Sequence, residues 1–141
     1  VTPVEPHPQL ARDCHLLGSL QGSTVLLHRN ASVPWLILVP AGDERELLGL
    51  EPAARARVLD VCAQLGEYLT RHHDAERINF AAIGNVVPQL HLHVVGRRRD
   101  DPCWPQPVWG HLQPGRAYAG DEVAAIAGRL ADELGLTPAH D

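Results

Sequence analysis

Gln89-Leu90-His91-Leu92-His93-Val94-Val95 decides the reading of this chain. Along a strand, successive side chains point to opposite faces. Leu90, Leu92 and Val94 therefore share one face, which suits a core. Gln89, His91 and His93 share the other. Two imidazoles and an amide on a rigid strand form a better platform for chemistry than a mobile loop does. Three readings follow from the residues alone. The first is a strand whose outer face is simply polar. The second is a metal site, because imidazoles at i and i+2 can reach one ion. Zinc then needs a third protein ligand, with His28, His111 or an aspartate as sources. The third is nucleophilic or acid-base catalysis by an imidazole that titrates near neutral pH.

Outward from this stretch, the pattern gives strands on both sides of one long helix. Ile78–Ile83 reads as a strand and Gly84–Pro88 as the loop into the motif strand, Leu90–Gly96. Upstream, Glu51–His72 carries Val58, Val61, Cys62, Leu65 and Leu69 at helical spacing, with Pro52 at the favoured first position. Trp35–Val39 is a short apolar run between Pro34 and Pro40, which predicts a buried strand. Cys14–Leu20 and Ser23–His28 flank Gln21-Gly22, where a tight hairpin turn needs positive φ. Asn30-Ala31-Ser32 reads as a turn. Three prolines in Val1–Gln9 predict an extended arm. Downstream, Arg97–Gly120 is rich in proline and glycine and reads as irregular. Asp121–Leu134 reads as a helix, with Asp121 as N-cap and Gly135 as its stop. Val123, Ile126, Ala127, Leu130 and Leu134 form its apolar face.

The order β-β-β-α-β-β-α, with tight turns between strands, predicts an α+β domain. It consists of a five-stranded antiparallel sheet with two main helices. The chain has 141 residues, the size of one domain, which we take as 1–141. Within it, residues 1–12 form the N-terminal arm, 13–110 the core with the motif, and 111–141 the C-terminal loop and helix. No glycine-rich phosphate loop of the dinucleotide-binding or Walker type is present.

Composition narrows the function. The net charge of −5 disfavours a protein that grips nucleic acid by its phosphates. No apolar run is long enough for a bilayer, so no membrane partner is expected, and the arm does not read as a signal peptide. Cys14, Cys62 and Cys103 are an odd number with no C-x-x-C pair, which argues against a disulfide framework and fits a reducing cytoplasm.

The motif resembles the signature of the histidine-triad (HIT) family, His-φ-His-φ-His-φ-φ with φ apolar, with Gln89 standing in place of the first histidine. Around it, Gly84-Asn85-Val86-Val87-Pro88 stands where the family has a Gly-Gln-Ser/Thr-like loop. Trp35–Pro40 matches an upstream strand ending in proline, and Glu51–His72 the intervening helix. Trp104-Pro105 and Trp109-Gly110 follow, as in the nucleoside-phosphoramidase-like branch. The resemblance covers Cys14 to Trp109. It implies the HIT-like fold and a homodimer, with the long helix and the C-terminal part of the sheet near the interface.

The resemblance also implies hydrolysis or transfer at the α-phosphate of a nucleotide. The ligand class is a purine nucleotide or nucleotide conjugate: a nucleoside phosphoramidate, an adenylylated compound or a dinucleoside polyphosphate. His91 takes the role of nucleophile, forming a nucleotidyl-histidine intermediate. His93 donates a hydrogen bond to the phosphate or leaving group. Gln89 supports His91 by hydrogen bonding, since an amide both donates and accepts. Asn30 matches a ribose-binding position, while Asn79, Asn85 and Val86 match positions around the phosphate. No cofactor and no metal is required. The replaced histidine opens an alternative, a nucleotide-binding protein with little or no turnover. A metal-dependent enzyme using the His91/His93 pair is a further one. Trp104 and Trp109 are expected in core and dimer packing, and Arg97-Arg98-Arg99 as a solvated run. No role is assigned to His28, His72, His73, His111 or His140.

Overall fold

A computed structural model describes residues 2–139, so Val1, His140 and Asp141 lie outside the described residues. The elements are α1 (Pro8–Asp13), β1 (Cys14–Leu20), β2 (Ser23–His28), β3 (Trp35–Val39), α2 (Pro52–His72), β4 (Arg77–Ala81), β5 (Leu92–Arg97), α3 (Gly120–Leu134) and β6 (Thr137–Pro138). One sheet runs in the order β4-β5-β3-β2-β1-β6, and each pairing in it is antiparallel. The fold is thus the expected α+β antiparallel sheet with two main helices.

The alternation of side chains divides the core in two. Val25, Leu27, Leu36, Leu38, Leu92 and Val94 point to one face and are buried against α2 and α3. Leu26, Trp35, Ile37, Val39 and Val95 point to the other, where Leu10 of α1 and the loop residues Val33, Val87 and Val108 cover them. The α2 stripe is buried as its spacing predicts: Val58, Val61, Cys62, Leu65 and Leu69 all face the sheet. Pro52 opens α2 and Gly135, with φ of 82°, closes α3 in the left-handed conformation. The β1–β2 turn has positive φ at both Gln21 and Gly22, 49° and 85°, as a tight hairpin requires.

Five expectations are corrected. Residues 8–13 form a short helix that begins within the stretch Val1–Gln9 expected to be extended. The prolines explain it: Pro8 falls in the first turn, where its missing N–H costs nothing, and His7 Nδ1 caps the helix by accepting from Gln9 N–H at 3.0 Å. A sixth strand, β6, pairs with β1 at Gly18 and Ser19. The contact needs glycine, because a Cβ on Gly18 would lie 2.1 Å from the Thr137 carbonyl oxygen. The motif strand begins at Leu92 and reaches Arg97, so His91 stands just before it. The N-cap of α3 is Ala119, not Asp121, with Glu122 Oε1 accepting from Ala119 N–H at 2.9 Å.

Arg97 is also no part of a solvated run. Its side chain is 1% exposed and forms a two-pronged ion pair with Asp101, at 2.7 and 3.1 Å. Arg97 also lies against the Trp104 ring, 5.6 Å from its centroid. No helix of the described residues is long and apolar enough to cross a membrane. Cys14, Cys62 and Cys103 are free thiols.

Candidate active site

Strand register assembles the site on the sheet face turned away from α2. Cys14 lies opposite His28, Leu26 opposite Ile37, Ile37 opposite His93, and Trp35 opposite Val95. One step beyond the Leu27–Leu36 pair, the same register brings His28 level with Trp35. Their rings stack at 4.1 Å with 8° between planes. His91, His93, Trp35, His28 and Trp109 line one cavity of about 320 Å³, walled also by Leu10 of α1.

His93 is 7% exposed, and its Nδ1 accepts a hydrogen bond from Trp35 Nε1–H at 3.0 Å. Indole nitrogen can only donate, so Nδ1 is the bare nitrogen and Nε2 carries the proton. Burial, with the neighbouring His91 and His28 adding to it, pulls the His93 pKa down to about 4. His93 is therefore neutral at pH 7 and presents an N–H donor.

His91 has the opposite tautomer. Its Nδ1 lies 2.7 Å from the Gln89 backbone carbonyl oxygen. A carbonyl can only accept, so Nδ1 holds a proton, which in the neutral ring leaves the lone pair on Nε2. The two rings are edge to face, with centroids 5.0 Å apart. The His91 ring, when neutral, can offer Nε2 as a nucleophile beside a second imidazole that offers Nε2–H as a hydrogen-bond donor. The Trp109 ring lies 5.1 Å from His93, and its buried Nε1–H has no hydrogen-bond partner among the described residues.

Of the residues matched by motif, Asn85 and Val86 line the same cavity, on the loop before the motif. Asn30 and Asn79 are not brought to it. Asn30 Oδ1 accepts from Ser32 N–H and Oγ, and its Nδ2 donates to the Gln113 carbonyl, which makes it a turn residue. Asn79 Oδ1 accepts from Arg97 Nη1 at 2.9 Å. Gln89 turns its side chain to the N-terminal arm rather than to His91. Among the described residues, no group of three or more His, Cys, Asp or Glu side chains is placed to hold a metal ion. Sequence reasoning missed Trp35 as a site residue and offered His28 only as one possible ligand in the metal reading. The hairpin register was the available signal, since it carries His28 beside the strand that faces His93.

The HIT domain model matches residues 9–100. The chain is similar to the solved structure of a histidine triad protein from Marinobacter aquaeolei, at 38% identity and a TM-score of 0.84, covering 93% of this chain and 96% of that one. It is also similar to a histidine triad protein from Bradyrhizobium japonicum, at 35% identity, TM-score 0.84 and coverage of 92% and 97%. A histidine triad protein from Sinorhizobium meliloti gives 35% identity, the same TM-score of 0.84, and coverage of 92% and 96%. No curated protein matches the chain by sequence.

Proposed function

The chain belongs to the histidine-triad (HIT) family, and on that premise we propose that it is a nucleotide hydrolase or transferase acting at the α-phosphate. His91 Nε2 attacks phosphorus, and the bond from phosphorus to the leaving group breaks. The leaving amine or phosphate departs with the electron pair, and an amine also takes up a proton from solvent. Water, or another acceptor, then attacks the phosphorus of the nucleotidyl-histidine and returns a proton to solvent. The N–P bond breaks, its electron pair returns to Nε2, and a nucleoside monophosphate or its conjugate is released. His93 Nε2–H donates to the negative charge that develops on the phosphoryl oxygens or leaving group. Asn85 and the Val86 N–H, on the loop lining the cavity, are taken as further phosphate contacts.

The hydrogen bond from His91 Nδ1–H to the Gln89 carbonyl, 2.7 Å, carries this reading. It uses the backbone of residue 89, so it is independent of which side chain stands there. The reading therefore favours a competent enzyme over a binding protein that has lost turnover. The unpartnered Trp109 N–H is further support, because a buried donor without an acceptor is costly and an anionic ligand would supply one. The substrate class is a purine nucleoside phosphoramidate, an adenylylated compound or a dinucleoside polyphosphate.

The same reading takes the protein as a homodimer in the cytoplasm. The edge strand β4 with its exposed Phe80, and the apolar groove between α2 and β4 lined by Leu59, Ala63 and Ile78, support a second copy there. Steady release of AMP from adenosine phosphoramidate, abolished in His91→Ala, tests the activity. Nucleotide binding with no release from either protein would move the reading to a binding protein.

A further inference from the structure

We propose that Gln89 is a positioning residue that ties the N-terminal arm to the motif and so sets α1 as a wall of the nucleotide cavity. The inference rests on the nucleotide reading of the site. Both functional groups of the Gln89 amide are committed to the arm. Its Oε1 accepts from His7 N–H at 2.7 Å, and its Nε2 donates to the Glu5 carbonyl at 3.0 Å.

From this clamp the chain passes directly into α1. His7 Nδ1 accepts from Gln9 N–H, which starts the helix. Leu10 is then buried in the second core, and Gln9, Leu10 and Asp13 line the cavity that His91 and His93 share. On its other side the arm is pinned to the sheet, where Thr24 Oγ donates to the Val4 carbonyl at 2.8 Å. The helix has 6 residues, too few to hold itself in place without such anchors.

The clamp explains the residue type. His7 N–H and the Glu5 carbonyl need one acceptor and one donor side by side. A primary amide offers both on one carbon. A neutral imidazole has one of each, but they diverge from the ring, and a carboxylate has no donor for Glu5. The backbone carbonyl of Gln89 meanwhile holds His91, so the two roles of this residue are separable.

The test compares the parent with Gln89→Ala, with a chain lacking residues 1–7, and with the combination. Adenosine phosphoramidate is the substrate, and amide hydrogen exchange is followed over residues 10–13. Each net hydrogen bond is worth a factor of about 2 to 12 in an equilibrium. We expect Gln89→Ala to raise KM about tenfold, keep kcat within about twofold, and speed exchange in α1. Truncation should do the same, and the combined variant should be no worse than truncation alone. Gln89→His should behave like Gln89→Ala rather than raise turnover. Unchanged exchange in Gln89→Ala would overturn the clamp. Faster exchange with an unchanged KM, or a fall confined to kcat, would overturn its role at the site. A parent protein that neither binds nor turns over the nucleotide would refute the proposed function instead, while the exchange comparison still decides the clamp.

Discussion

Replacing His93 by Gln isolates the energetic consequence of a buried, neutral imidazole. An unfolded histidine takes up its proton near pH 6.5, whereas His93 in the fold does so near pH 4. Protonation would put a cation in a site where Trp35 Nε1–H already points at Nδ1. Between those two values the unfolded chain binds a proton that the native chain does not. Stability therefore falls as pH drops through this window, and the full contribution is present above pH 6.5. A tenfold change in proton affinity is about 1.4 kcal/mol, so the whole gap amounts to about 3 kcal/mol. Gln does not titrate, yet its oxygen can still accept from Trp35. Burial lowers His15 and His73 as well, but these act in both proteins and cancel in the difference. Urea unfolding at a series of pH values is the assay. From pH 7 to 4.5 the parent is expected to lose about 2 kcal/mol more than His93→Gln. Parallel stability curves for the two proteins would refute the reasoning.

Trp35→Phe removes the N–H that faces His93 Nδ1, so the His93 ring should titrate at a higher pH than in the parent, as followed by NMR of its ring protons. Leu65, fully buried between α2 and the sheet, should cost about 2–5 kcal/mol when changed to Ala, read as a lower urea midpoint at unchanged m. Asp101→Ala leaves the Arg97 guanidinium, 1% exposed, without its carboxylate; a loss of about 3–5 kcal/mol is expected by the same assay.

The parts legible in the sequence were those set by local periodicity. The α2 stripe, the apolar run Trp35–Val39 and the hairpin at Gln21-Gly22 each report their own environment. The alternation in Leu90–Val95 also placed Leu90, Leu92 and Val94 on the helix side and His91 and His93 on the other. What sequence did not give was set by distant partners. Arg97 reads as a surface charge until the chain folds back to supply Asp101. Three prolines read as an extended arm until His7 caps Pro8–Asp13 and Gln89 holds the residues before it. β6 is two residues long and includes a proline, so no strand pattern precedes it; its place is fixed by Gly18. His28 and Trp35 enter the site through register alone, while Asn30 and Asn79, matched by position, are held by turn and ion-pair partners outside the cavity.

Intact-mass spectrometry of the protein, quenched within seconds of mixing with adenosine phosphoramidate, tests the central claim most directly. The parent should gain the mass of one adenylyl group, lost again as AMP appears, and peptide mapping should put it on His91. His91→Ala should show neither adduct nor AMP. AMP released by His91→Ala at the parent's rate, with no adduct on either protein, would contradict a covalent route through His91.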